Sequence, residues 1–93
     1  MEQVECLYDR YIKDFRCKYY MTRTTRQFID ESDTINVFGV KIDKLSSDGR
    51  LISSVQVKNV GINERDVKSF IKLLNDGRVT PITLKDIVND KLI

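Results

Sequence analysis

Alternation of apolar and polar residues predicts a β-hairpin over residues 4–24. The alternation has the period of two that a strand with one buried face produces. A two-residue turn at Lys13-Asp14 would place Cys6 opposite Met21 and Cys17 opposite Arg10. The face predicted to be buried is mostly apolar: Val4, Cys6, Tyr8, Ile12, Phe15, Cys17, Tyr19 and Met21, interrupted by Arg10 and Arg23. A helix over residues 2–12 is the alternative.

The other face of this hairpin carries side chains that suit cross-strand pairs. The same turn pairs Asp9 with Lys18 as ions, Tyr11 with Arg16 as a cation–π contact, and Leu7 with Tyr20 as an apolar contact. We expect these residues to point away from the core. Together with the next strand they give a candidate interaction surface: Leu7, Tyr11, Arg16, Lys18, Tyr20 and Val37.

A second hairpin is predicted over residues 35–60, because Asp48-Gly49 is a strong turn signal between two alternating segments. A four-residue loop would pair Phe38 with Val57 and Val40 with Val55. The predicted core face consists of Phe38, Val40, Ile42, Val55 and Val57. Gly39 falls on the opposite face, where a glycine indicates a bulge or a close backbone approach.

The last third of the chain predicts two helices. Asn63 is a suitable N-cap, and apolar residues follow at helical spacing: Val67, Phe70, Ile71 and Leu74. Gly77 is expected to end this helix in a left-handed conformation. Pro81 is expected to delay the next helix, which Thr83 and Asp86 would cap and which would contain Leu84, Ile87 and Val88. Leu73 is the apolar residue of the first helix that lies beside this apolar stripe and not within it.

These elements predict an α+β fold in a single domain, residues 1–93. Two hairpins form a four-stranded antiparallel sheet, and two C-terminal helices pack on one face of it. The 93 residues, 41% hydrophobic and 32% charged, suit one modest core. No apolar run is long enough to cross a membrane or to form an export signal, which favours the cytoplasm.

The types of residue present limit the kinds of catalytic and metal site that the chain can form. The chain has no histidine and two cysteines, which excludes most familiar zinc sites and histidine-based catalysis, and no metal or cofactor is expected. On the predicted register Cys6 and Cys17 share a face but lie about 13 Å apart, too far for a disulfide, so two reduced, buried thiols are expected. The acidic cluster Asp30, Glu31 and Asp33 lacks the glycine and distal glutamate of a calcium loop and is interpreted as a solvated loop.

From Val37 onward the order of elements is familiar. An aromatic-Gly-aliphatic strand at Phe38-Gly39-Val40 precedes a second strand, a helix and the terminal segment Val79 to Asp90, which contains Pro81-Ile82-Thr83-Leu84-Lys85-Asp86-Ile87-Val88. This resembles a family of short, uncharacterised proteins of anaerobic, spore-forming Firmicutes, catalogued only as a domain of unknown function. The resemblance covers roughly residues 15–90 and implies a fold and a cytoplasmic setting. Family members often carry histidine where Thr83 stands, so no role of that histidine transfers.

Three functions are compatible with these features. The first is a small non-catalytic interaction or regulatory module of unknown protein partner, with self-association as one form of it, because tyrosines are enriched at interfaces. The alternative is nucleic-acid binding by the basic, tyrosine-rich first hairpin, although the net charge is only +2. The third is an enzyme with Cys17 as a nucleophile, its pKa lowered by Arg10 and Arg23, but the sequence offers no general base.

Overall fold

The computed structural model describes residues 2–27 and 34–91, with side chains up to Ile87. These residues form four strands and two helices in chain order: β1 (Glu2–Ile12), β2 (Phe15–Gln27), β3 (Thr34–Ser46), β4 (Leu51–Gly61), α1 (Glu64–Asp76) and α2 (Pro81–Lys91). The strands make one antiparallel sheet in the order β1-β2-β3-β4. The predicted α+β architecture is confirmed, and β1 is a strand rather than a helix. The acidic cluster Asp30, Glu31 and Asp33 and the side chain of Val88 lie outside the described residues.

The core forms where the helices pack on one face of the sheet. Helix α1 contacts β2, β3 and β4, and α2 contacts β3 and β4. The buried apolar side chains come from the central strands and from one stripe of each helix: Cys17, Tyr19, Met21, Phe38, Val40, Ile42, Val67, Ile71, Leu74 and Leu84. Both edge strands, β1 and β4, add only half-buried side chains, and the helices contact β4 and leave β1 the less covered of the two.

A β-bulge at Leu7 changes which residues of β1 face the core. From Ile12 back to Tyr8 the pairing follows the two-residue turn as predicted, with Arg10 opposite Cys17. Beyond the bulge Cys6 pairs with Tyr20 rather than with Met21. Val4 and Cys6 therefore lie on the face away from the helices, and both are exposed. Leu7, predicted on that outer face, instead packs against the core cluster.

The second hairpin has the predicted faces but a register shifted by two residues. Val40 pairs with Val57 and Ile42 with Val55, because the loop is tighter than predicted and a bulge follows it. The Ser46 amide donates to the Arg50 carbonyl at 2.8 Å, which leaves three residues in the loop. Gly49 supplies the positive φ, +89°, that this loop needs. The additional residue of the bulge is Ile52, which is 54% exposed.

Gly39 marks a close backbone approach, as its position suggested. Strand β4 has additional residues opposite it, since Phe38 pairs with Gly61 while Val40 pairs with Val57. A Cβ atom at Gly39 would lie 2.5 Å from the Val57 carbonyl oxygen and 2.6 Å from Thr22 Oγ1. No side chain larger than hydrogen fits there, so the irregular end of β4 is built on this glycine.

Helix α1 begins as predicted but ends differently. The Asn63 side chain accepts a hydrogen bond from the Asp66 amide at 3.1 Å. Gly77 has an ordinary φ of −84°, and the left-handed residue is Arg78, with φ 54°. The amide of Val79 donates to the Leu74 carbonyl, and that of Arg78 to the Asn75 carbonyl. This is the Schellman arrangement, with arginine at the position that usually holds glycine.

Helix α2 begins at Pro81, two residues before the predicted cap at Thr83. Proline suits the first helical position because its φ is already helical and its missing N–H has no partner there. Thr80 takes the capping position, with its carbonyl accepting from the Leu84 amide at 2.9 Å and its hydroxyl 3.0 Å from that of Thr83. Pro81 and Leu84 are fully buried and attach this short helix to the sheet.

Candidate interaction surface

The face of the sheet away from the helices is called the outer face here, and no described element covers it. Residues that are directly opposite one another in neighbouring strands share a face. Because Cys17 is buried under the helices, its strand neighbours Arg16 and Lys18 point to the outer face. The pairings then continue across the sheet in rows that run from β1 to β4.

The row nearest the two hairpin turns crosses all four strands and is called the distal row: Tyr11, Arg16, Leu45 and Leu51. Tyr11 is 66% exposed and Leu51 57% exposed, while Leu45 is half-buried between them. The bulge residue Ile52 adds further exposed apolar surface next to Leu51. An aromatic ring, an arginine and aliphatic side chains therefore lie side by side on the outer face.

Arg16 is held in place within the distal row. Its Nε donates to Asp9 Oδ1 at 2.6 Å, and its Nη2 bonds the second oxygen of the same carboxylate. The guanidinium carbon lies 5.8 Å from the centre of the Tyr11 ring. Hydrogen bonding to Arg16 lowers the pKa of Asp9, so this pair stays ionised at neutral pH. The predicted contact between Tyr11 and Arg16 is confirmed, but the carboxylate of Asp9 pairs with Arg16 rather than with Lys18.

The next row toward the middle of the sheet alternates in charge: Asp9, Lys18, Asp43 and Ser54. The Ser54 hydroxyl donates to Asp43 Oδ1 at 2.5 Å, and Lys41 Nζ lies 3.7 Å from Asp43 Oδ2. Cations and carboxylates therefore face one another across neighbouring strands. The outer face has no single-sign charge field, which lowers its attraction for a polyanion.

Tyr20 lies in the middle of the outer face, beside Cys6 and Lys41. The Lys41 ammonium is 5.3 Å from the centre of its ring, and partial burial raises the pKa of the Tyr20 hydroxyl. Cys6 is exposed, and partial burial with the nearby carboxylate of Asp9 raises the pKa of its thiol. Neither group is set up for proton transfer near neutral pH.

At the end far from the turns the outer face narrows. The side-chain amide of Gln56 on β4 donates to Glu2 Oε2 on β1 at 3.0 Å, so the two edge strands meet over the sheet. Thr22, between them, is only 2% exposed, although it points away from the helices. Val37 lies at this end and is half-buried. The accessible part of the outer face is therefore the part that contains the distal row.

The residues of the predicted interaction surface thus lie in different parts of the sheet. Tyr11 and Arg16 lie together in the distal row, with Lys18 and Tyr20 in the rows behind it and Val37 at the far end. Leu7 was assigned wrongly, because the bulge turns it toward the core. Sequence reasoning missed Leu45, Leu51 and Ile52. The adjacent pair Leu51-Ile52 after the turn was the available signal, since two apolar residues in succession break the alternation.

The two cysteines lie on opposite faces of the sheet and are both free. Cys17 is fully buried, and burial raises the pKa of its thiol rather than lowering it as the nucleophile hypothesis required. The guanidinium of Arg10, opposite Cys17, is directed to the Asn75 carbonyl. Burial likewise raises the pKa of Tyr19 to about 12. Among the side chains that the structure describes, in residues 2–27 and 34–87, no group of three or more from His, Cys, Asp and Glu is placed to hold a metal ion.

Comparison with known proteins gives a family but no activity. Neither helix in the described part of the chain has the length and apolar character needed to cross a bilayer. No curated protein and no solved structure matches the sequence. The family model of DUF6514, a family of unknown function, matches residues 1–93. The chain therefore belongs to the DUF6514 family.

Proposed function

We propose that this chain is a small non-catalytic interaction or regulatory module that binds another protein through the distal row and Ile52. The supporting observation is the row itself: Tyr11, Arg16, Leu45 and Leu51 cross all four strands without a covering element among the described residues. Its two ends are the most exposed, Tyr11 at 66% and Leu51 at 57%. Two free thiols, one of them exposed, favour a reducing compartment such as the cytoplasm.

The composition of the distal row is the kind that contributes most to binding energy. Tyrosine and arginine are enriched among residues whose truncation weakens an interface, and aliphatic neighbours exclude water around them. Arg16 is already fixed by Asp9 and stacked beside Tyr11, so a partner would not have to immobilise a flexible side chain. Such preorganisation reduces the entropic cost of binding.

Nucleic-acid binding remains the alternative, but the arginines of the first hairpin are engaged within the chain. Arg10 bonds Asn75, Arg16 bonds Asp9, and the guanidinium of Arg23 bonds Gln3. Arg26 donates to Asn59 Oδ1 at 3.2 Å. A phosphate would have to replace these partners, which favours the protein-binding hypothesis. Absence of an anisotropy change with mixed RNA and DNA oligonucleotides at low salt would eliminate the alternative.

The test compares the double variant Tyr11→Ser/Leu51→Ser with the control Leu73→Ser/Ile82→Ser. The control removes apolar side chains of at least similar exposure from the helices, since Leu73 is 67% and Ile82 74% exposed. Sedimentation velocity over a range of concentrations measures self-association, and capture from an extract of the native cell measures binding of other proteins. We expect the wild type and the control variant to bind the same partner or to self-associate. The distal-row variant is expected to lose that binding. Identical behaviour of all three proteins would contradict the proposal.

A further inference from the structure

A groove separates α1 from the edge strand β1 on the helix side of the sheet. Its volume is about 400 Å³, and it is lined by Tyr8 of β1 and by one face of α1: Glu64, Arg65, Lys68, Ser69 and Lys72. Positions three, four and seven residues apart share a helix face, which is why these α1 residues line one wall. This α1–β1 groove exists because the helices pack over β2 to β4 and leave the edge strand half-covered.

The wall of the groove is predominantly cationic. Among the residues that the structure describes, Arg65 and Lys72 have no ion-pair partner, and the Lys68 ammonium has only Glu64, at 3.7 Å with both side chains about half exposed. Arg10 extends the positive charge along β1, since it lies two residues beyond Tyr8 on the same face and bonds a carbonyl rather than a carboxylate. This contrasts with the outer face, where cations and carboxylates face one another.

The other side of the groove is the free edge of a sheet. Among the described strands β1 is bonded to β2 alone, so its second side presents backbone N–H and C=O groups on either side of the bulge at Leu7. Such an edge accepts an extended segment through main-chain hydrogen bonds. The ring of Tyr8, half-buried against the core, gives the groove an aromatic floor. A free strand edge, an aromatic floor and a cationic wall together fit one kind of ligand.

We propose that the α1–β1 groove binds an extended acidic segment of a partner protein, with its carboxylates toward Arg65, Lys68 and Lys72 and its backbone along β1. The groove favours a peptide over a nucleic acid because the main-chain groups of β1 complement those of a polypeptide, which a nucleic acid lacks. This inference does not depend on the distal row, which lies on the opposite face of the sheet.

The test is fluorescence anisotropy at low salt with a labelled nonapeptide that alternates glutamate and threonine. The binding variant is Lys68→Glu/Lys72→Glu, and the control, Lys58→Glu/Lys85→Glu, makes the same change of net charge at two exposed lysines outside the groove. All four lysines are exposed, so both proteins are expected to fold. We expect the binding variant to weaken the affinity about tenfold and the control to change it less than about twofold, because long-range attraction between exposed charges is screened.

Three further measurements make the proposal specific. A nonapeptide of the same charge that alternates glutamate and proline lacks backbone N–H groups at every second position, so we expect it to bind more weakly. Amide chemical-shift changes are expected along β1 and α1, and the Tyr11→Ser/Leu51→Ser protein is expected to bind the peptide normally. No binding of the glutamate–threonine peptide, equal weakening by both lysine variants, or tighter binding of a single-stranded oligonucleotide would each overturn the proposal.

Discussion

The guanidinium of Arg10 donates from Nη1 to the backbone carbonyl of Asn75 at 2.7 Å and thereby places a cation from β1 at the C-terminal end of α1. Helix α1 has two acidic residues in its first turn but no basic residue in its last turn. A cation at this end interacts favourably with the helix dipole and adds a second hydrogen bond to a carbonyl that also accepts from the Arg78 amide. The edge strand thus supplies the charge that the helix sequence lacks.

Replacing Arg10 should therefore destabilise the protein through α1. We expect Arg10→Ala to lower the free energy of unfolding by about 2 kcal/mol, since a hydrogen bond from a charged donor contributes about 1.5–3 kcal/mol. Urea unfolding monitored by circular dichroism measures the change. The exposed Arg50, in the second hairpin loop, provides the control Arg50→Ala, which should be nearly neutral. Equal effects of the two substitutions would contradict this role of Arg10.

Tyr19 should make stability sensitive to alkaline pH. Burial raises the pKa of its hydroxyl from 10.0 to about 12, and the hydroxyl donates to the Val79 carbonyl at 2.9 Å. The unfolded chain releases this proton at lower pH than the folded one, so the contribution is complete below pH 10 and is lost as the pH rises toward 12. Urea unfolding at neutral pH and at pH about 11 should show a smaller alkaline loss in Tyr19→Phe than in the wild type. A loss of the same size in both proteins would contradict the assignment.

Gly39 should tolerate no side chain. We expect Gly39→Ala to cost about 3 kcal/mol or more, because its Cβ would overlap both the Val57 carbonyl and the Thr22 hydroxyl. Thermal unfolding measures the cost. Gly77→Ala is the matched control: its φ is ordinary and its nearest contact would be 3.3 Å, so a much smaller change is expected. A comparable cost at both positions would argue against the close approach of β4 to Gly39.

Arg78 holds the left-handed conformation that ends α1, and glycine should suit this position better. The left-handed conformation costs a residue with a Cβ about 1–2 kcal/mol, whereas glycine adopts it freely. Since glycine also loses more chain entropy on folding, we expect Arg78→Gly to raise the free energy of unfolding by about 0.5–1 kcal/mol. Chemical denaturation detects this increase. A decrease would show that the arginine side chain makes a stabilising contact that outweighs its backbone strain.

The bulge at Leu7 predicts unequal reactivity of the two thiols. Cys6 is exposed on the outer face and Cys17 is fully buried under the helices. In the native protein we expect a disulfide reagent such as Ellman's reagent to modify one thiol per chain, and both thiols only after denaturation. Cys6→Ser should abolish the native reaction, and Cys17→Ser should leave it unchanged. Rapid native modification of both thiols would show that the assigned faces of β1 are wrong.

The same bulge shows where sequence reasoning reaches its limit. Alternation predicted both hairpins, the turn at Lys13-Asp14 and the core faces of the central strands, because burial on one face requires that period. Alternation cannot reveal one extra residue in an edge strand here, because Val4, Cys6 and Leu7 are all apolar. Either Cys6 or Leu7 could face the core, and the pattern does not distinguish the two registers. Each residue before the bulge was therefore placed on the wrong face, and Leu7 was wrongly included in the candidate surface.

The ends of the helices show a second limit. Glycine was expected at the left-handed position after α1, but the hydrogen bonds from Arg78 and Val79 place that position one residue later. Val79 then packs against the core, which offsets the strain at Arg78. Likewise Pro81 begins α2 because burial against the sheet favours an early start. In both places the local capping signal, at Gly77 and at Thr83, is outweighed, and the contribution of packing cannot be read from the adjacent residues alone.

The hydrogen bonds that attach the end of α1 and the link after it to the sheet also affect when the protein can fold during synthesis. Arg10 and Asn75 are 65 positions apart in the chain, and Tyr19 and Val79 are 60 positions apart. Contacts between residues so distant in sequence form only after most of the chain is available. We therefore expect the first hairpin to wait, with Tyr19 and Cys17 uncovered, until residues 75–79 have left the ribosome. Deleting those residues from a nascent chain should leave both side chains uncovered.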